Sequence, residues 1–155
     1  AGDPRYERAL RELERRHPGR AAARIGVDLE LAHRIEAGAD LFLMPSRYEP
    51  CGLNQMYSMR YGTVPVVRST GGLADTVVDA AEGGRGTGYR FDAYAPQALA
   101  EALARALADF GTPRWVELQR RGMERDFSWA GPARQYLDVY RSLRPRAAAH
   151  AGAIP

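Results

Sequence analysis

The chain has 155 residues, 45% of them hydrophobic, and a net charge of +3, as expected of one globular domain with a core of its own. Its 22 basic residues are all arginine and are interleaved with glutamate in stretches such as ERALRELERR. Such a pattern marks solvated helix faces with i,i+4 pairing and argues against a nucleic-acid surface. The single cysteine excludes an internal disulfide, and the histidines at 17, 33 and 150 have no metal-ligand spacing. No apolar run approaches the ~20 residues of a membrane span, so an intracellular, cytoplasmic protein is expected.

Asp3-Pro4 opens a helix with an N-cap and a proline at the first position, and His17-Pro18-Gly19 closes it. Residues 21–27 (AAARIGV) read as a short strand; Asp28 caps a helix that Gly38 breaks; residues 41–44 (LFLM) form the next strand. A helix beginning near Gly52 carries Leu53, Met56, Tyr57 and Tyr61 at helical spacing and ends at Gly62, before the buried strand 64–67. The turn Ser69-Thr70-Gly71-Gly72 leads to a short helix over 73–80, a mobile glycine-rich loop (AEGGRGTG) and a strand at 89–91. Helices follow from Pro96, with Leu99, Leu103, Leu107 and Phe110 on one face, from Thr112, and after Ser128-Trp129. The domain spans 1–143, and the aperiodic 144–155 reads as a disordered tail.

Strands alternating with helices predict an α/β fold: a Rossmann-like parallel sheet flanked by helices, with ligands bound beyond the carboxyl ends of the strands. Two such ends meet polar or glycine-containing loops, one carrying Glu49 and the other running from Ser69 to Gly72. A carboxylate beside the anion-receptive end of a helix suits a reaction that builds positive charge on one atom while a phosphate leaves its neighbour. Glycosyl transfer from a sugar nucleotide is of that kind. No GxGxxG follows the first strand, which sets aside a nicotinamide-binding Rossmann domain.

The run EPCGLNQMYSMRYGTVPVVRSTGGLADTV, with AGDP, LAHRIEAGAD and DFSW at matching positions, resembles the signature of bacterial glycogen synthases and plant starch synthases. The resemblance implies a retaining, metal- and cofactor-free glucosyltransferase of the two-domain GT-B type. Its donor would be ADP-glucose or UDP-glucose, and its acceptor the non-reducing end of an α-1,4-glucan. It implies Glu49 as the catalytic acidic residue, the Cys51 and Gly52 amides against the sugar, and the Leu53 and Asn54 amides facing the diphosphate. Thr70, Gly71 and Gly72 would shape the pocket floor. Many proteins of this fold carry a second glutamate where Tyr57 stands; starch and glycogen synthases lack it, so Tyr57 is either a site residue of the narrower family or a core aromatic. The family's diphosphate-neutralising arginine and lysine, and its first-domain loop, have no counterpart here. The chain is therefore expected to be an N-terminally truncated second domain, inactive alone and completed by the missing first domain, in a cytoplasmic enzyme or, in a plant, a plastid one. A non-catalytic nucleotide- or glucan-binding module is the alternative.

The family's usual aromatic for stacking adenine is replaced after Ile25-Gly26 by Val27, which leaves the choice of nucleotide open. Cys51 has no adjacent histidine or asparagine to activate it, so its backbone matters more than its thiol. His33 reads as a packed helix histidine, and Trp129, Tyr136 and Tyr140 as a packing or glucan-stacking stripe.

Overall fold

The computed structural model of the chain describes residues 3–143, so the tail expected at 144–155 lies outside the described residues. Two compact units divide the chain at Ala39/Asp40. The first consists of helices α1 (Pro4–Arg16) and α2 (Leu29–Gly38). Both caps are as expected: the Asp3 carboxylate accepts from the Arg5 amide and the Asp28 carboxylate from the Leu31 amide, each at 2.9 Å. The strand expected at 21–27 does not form; the segment is irregular. A short segment becomes a strand only beside a partner strand, and this unit contains none among the described residues; the alanines at 21–23 and Gly26 add little strand preference of their own.

The second unit is built on three parallel strands in the order β1 (Leu41–Met44), β2 (Val64–Arg68), β3 (Tyr89–Phe91). Between β1 and β2 runs α3 (Asn54–Tyr61), which ends on Gly62 in the left-handed conformation at φ 82°. Between β2 and β3 lie α4 (Gly72–Thr76) and a 3₁₀ segment (Ala80–Arg85), and after β3 come α5 (Pro96–Asp109), α6 (Pro113–Glu124) and α7 (Ala130–Leu143). The expected helix over 73–80 is therefore shorter and starts one residue earlier. Much of the glycine-rich loop is a hydrogen-bonded turn, with the Asp79 carboxylate capping Ala81 at 2.8 Å.

Strand β2 is buried on both faces, as a central parallel strand must be. Val64 and Val66 join Tyr89, Phe91, Ala102, Ala106, Trp115 and Leu118 on one side. Val67 joins Met59, Leu73 and Val77 on the other. On α5 the buried stripe runs through Ala102 and Ala106, flanked by Leu99 and Leu103, whereas Leu107 is exposed. The small alanines let α5 lie close to the sheet, and the bulkier leucines fill its flanks. Phe110 instead packs edge-on against Trp115, with ring centroids 5.1 Å apart.

Strand β3 is the edge, and its outward backbone groups are closed by side chains. The Arg90 amide donates to Asp79 Oδ2 (2.6 Å), and the Arg90 carbonyl accepts from Arg105 Nη2 (2.7 Å). The Arg105 guanidinium also binds the Asp79 carboxylate through two nitrogens, at 2.9 and 3.1 Å. Burial alone would raise the pKa of Asp79. The hydrogen bonds from Arg105, Ala81 and Arg90 and the Arg105 charge together outweigh it and hold the carboxyl below its ordinary value.

Candidate active site

Beyond the carboxyl end of β1 the chain runs through Pro45–Leu53 before α3 begins at Asn54, two residues later than the sequence suggests. Glu49 sits half-buried on this loop. The Ser46 hydroxyl reaches its Oε2 at 3.5 Å, and its carbonyl accepts the Gly72 amide at 3.2 Å, an amide shared with the Pro50 carbonyl at the same distance. The loop after β1 is thereby joined to the loop after β2. Arg68, the last residue of β2, reinforces the joint. Its guanidinium donates to the Ser46 and Arg47 carbonyls (3.3 and 2.9 Å) and to the Asp92 carbonyl beyond β3 (3.1 Å), linking all three strand ends.

The expected pocket floor at Thr70, Gly71 and Gly72 has a more specific reason for its glycines. A Cβ on Gly71 would stand 2.0 Å from the Glu49 carbonyl oxygen, and one on Gly72 would stand 2.0 Å from that of Cys51. Two backbones touch here, and only residues without side chains allow it. Thr70 completes the turn by accepting the Leu73 amide at 3.2 Å.

No side chain caps α3, so the N–H groups of its first turn face this loop without a side-chain acceptor. Cys51 is exposed and free, and Asn54 is the exposed first residue of the helix. Gly52 takes φ +71°, and a Cβ there would fall 2.5 Å from Gln55 Oε1.

The apolar spacing on α3 points outward. Leu53, Tyr57 and Tyr61 are 52%, 41% and 46% exposed, while the buried face is Gln55, Ser58 and Met59. Tyr57 is therefore not a core aromatic. With Leu53 and Met56 it lines an open groove of about 780 Å³, faced by Met123 and Phe127 at the end of α6 and just beyond it.

Sequence reasoning missed Gln55. Its side-chain amide, fully buried, donates to the carbonyls of Cys51 (3.1 Å) and Gly52 (2.9 Å) and to Thr76 Oγ1 (3.1 Å). A glutamine in the first turn of a helix is the available signal, since such residues fold back over the helix start. Arg68 carried no sequence signal beyond its place at a strand end. His33, on α2, lies 3.7 Å from the buried Glu36, whose carboxyl is pushed up by burial and drawn partly back by the histidine. Trp129, Tyr136 and Tyr140 form an exposed stripe, and no residue of α7 is buried. Among the described residues there is no group of three or more His, Cys, Asp or Glu that could hold a metal ion, and no helix long and apolar enough to cross a membrane.

The family model for glycosyl transferases group 1 matches residues 25–121. The glycogen synthase of Anaeromyxobacter dehalogenans (strain 2CP-C) is 63% identical over 146 residues, covering 94% of this chain and 31% of that protein. That of Thioalkalivibrio sulfidiphilus is 56% identical over 148 residues, covering 92% and 31%. The chain thus spans about a third of the length of these relatives. Among solved structures, the catalytic domain of starch synthase IV from Arabidopsis thaliana, bound to ADP and acarbose, superposes with a TM-score of 0.79 at 35% identity. It covers 90% of this chain and 30% of that one.

Proposed function

The chain belongs to the group 1 glycosyl transferases, and from that membership we propose that it is the donor-binding portion of a glycogen or starch synthase. The reaction moves glucose from ADP-glucose, with UDP-glucose as the lesser alternative, to the non-reducing end of an α-1,4-glucan with retention and without a metal or cofactor. The observation that carries this reading is the shared loop: one carboxylate, Glu49, fixed through its own carbonyl to Gly72, leads within five residues into the uncapped N-terminus of α3. The helix end and its amides receive the diphosphate as it leaves. The Glu49 carboxylate opposes the positive charge that develops at the sugar's anomeric carbon and holds a sugar hydroxyl. Cys51, Gly52, Leu53 and Asn54 present backbone to the donor, with Thr70, Gly71 and Gly72 beneath and Tyr57 on the groove side. The site is completed by the part of such enzymes that lies outside the matched region, in the cytoplasm.

A chimera tests this directly: the chain replaces the matching segment of the Anaeromyxobacter dehalogenans enzyme, and glucose transfer from ADP-glucose to glycogen is followed. Transfer is expected. Glu49→Gln, which keeps the hydrogen-bonding shape and removes the charge, should lower kcat by about a hundredfold or more with little change in donor affinity. Undiminished turnover in that variant would remove Glu49 from the catalytic role, and nucleotide binding without any transfer in the parent chimera would favour the binding module.

A further inference from the structure

Gln55 is an amide with no exposed surface, and its NH2 group turns back over the start of its own helix to three acceptors: Cys51 O, Gly52 O and Thr76 Oγ1. Two of those acceptors are consecutive carbonyls of the loop that carries Glu49. The peptides of the described residues are all trans, and in a planar trans peptide the N–H points opposite to the C=O of the same unit. Drawing the Cys51 and Gly52 carbonyls toward Gln55 therefore turns the N–H groups of Gly52 and Leu53 to the other side, away from the buried amide. Neither N–H donates to another group among the described residues.

We infer that Gln55 is the positioning residue of the donor loop: it holds the two carbonyls inward so that the Gly52 and Leu53 amides face outward as a preformed pair of donors for the nucleotide-sugar's oxygens. This rests on the donor-site reading given above. Two further observations separate the role from ordinary helix capping. The same NH2 group reaches Thr76 on α4, and the Thr76 hydroxyl donates to the Gly72 carbonyl at 2.6 Å. Gly72 in turn binds Glu49 and Pro50 through its amide. One side chain thus orients the α3 donors and, through Thr76 and Gly72, the backbone under the carboxylate. The second is steric: Gly52 takes φ +71°, and a Cβ there would fall 2.5 Å from Gln55 Oε1, so a side chain at 52 would displace the amide from its place. Oε1 itself is buried without a hydrogen-bond partner, so the geometry serves the donor end of the amide at the expense of its acceptor.

The test uses the 155-residue chain, labelled for NMR, with ADP as the probe. Gln55→Met keeps the length of the side chain and removes the donors. The Gly52, Leu53 and Asn54 amide resonances should move while those of Val66 and Ala102 in the sheet and on α5 stay in place, and the Kd for ADP should rise about tenfold, as for loss of a pair of oriented hydrogen bonds. Unmoved loop resonances, or unchanged ADP affinity in a variant that retains its core resonances, would overturn the inference. If the parent chain itself shows no ADP-induced shifts, ADP is titrated by calorimetry into the chimera, where absence of binding would defeat the donor-site reading, and the ligand-free loop resonances alone decide the role of Gln55. Should Gln55→Met lose the core resonances, Thr76→Val takes its place: it cuts the link to Gly72, and resonances of residues 49–53 identical to the parent's would overturn the inference.

Discussion

The contact between the two strand-end loops makes Gly72→Ala the most informative single change. The added methyl stands 2.0 Å from the Cys51 carbonyl oxygen and 2.6 Å from both the carbonyl carbon and Cα of that residue, all of them backbone atoms. Carbon–oxygen contacts settle near 3.3 Å or more, so the loops must part by roughly 1 Å. The Gly72 amide already reaches Glu49 O and Pro50 O at 3.2 Å; separation by that amount breaks both bonds. Overpacking contributes about 1–3 kcal/mol, and loss of the one N–H shared between the two carbonyls about 0.5–1.5 kcal/mol. The better helix propensity of alanine at the start of α4 returns up to about 1 kcal/mol. Gly72 is not among the glycines with positive φ, so no backbone penalty enters, and the net expectation is a loss of about 1–4 kcal/mol. Urea denaturation reads it as a lowered midpoint at constant slope. Gly131→Ala on α7, where the new Cβ meets nothing within 4 Å, is the control and should not destabilise. A Gly72→Ala chain within about 0.5 kcal/mol of the parent would refute the claim that the loops are locked together by backbone contact.

Asp79→Asn should cost about 2–3 kcal/mol by weakening a partly buried, charge-assisted clip. Because the folded pKa of Asp79 lies below its unfolded value, its contribution is present above the ordinary carboxylate range near 3.9 and is lost as pH falls through the folded value. The variant's stability should therefore depend less on pH in that acid window, and parallel profiles in urea would contradict this. Tyr89→Phe removes the 2.7 Å hydrogen bond from the buried phenol to Asp109 and should cost about 1–2 kcal/mol. Burial, the hydrogen bond to Asp109 and the Asp109 charge raise the Tyr89 pKa, so stability should decline as pH rises past the unfolded tyrosine value near 10, and the phenylalanine variant should lose that part of the decline. Val27 is 92% exposed; in the chimera, Val27→Tyr should tighten ADP binding by about 1–3 kcal/mol if a base stacks there, and unchanged affinity by calorimetry would remove residue 27 from the nucleotide site.

The three strands of the sheet, the helix caps and the loop carrying Glu49 were legible because each rests on local rules: aspartate before a helix, glycine after one, a short apolar run between breakers. What the sequence hid depends on contacts between segments far apart in the chain. On α3 the hydrophobic period picks out Leu53, Met56, Tyr57 and Tyr61, yet the buried face is Gln55, Ser58 and Met59. Periodicity assumes that apolar means buried, and it fails where a helix spends its buried positions on hydrogen bonds to its own loop and leaves its apolar ones along a groove. Residues 21–27 failed for another reason: a strand is a property of a pair, and no partner strand lies beside them among the described residues of their unit. The sequence places Gly71 and Gly72 in a turn after β2 and, by resemblance, at the floor of a pocket. Their actual constraint, a neighbouring backbone 2.0 Å from where a side chain would begin, comes from a loop some twenty residues earlier. Apart from residues 21–27, the positions whose constraint the sequence did not show lie on the two loops that meet at Glu49 and on the helix that follows the first of them. Local rules give way there because the same residues must satisfy two loops at once, a demand that only contacts between distant segments impose.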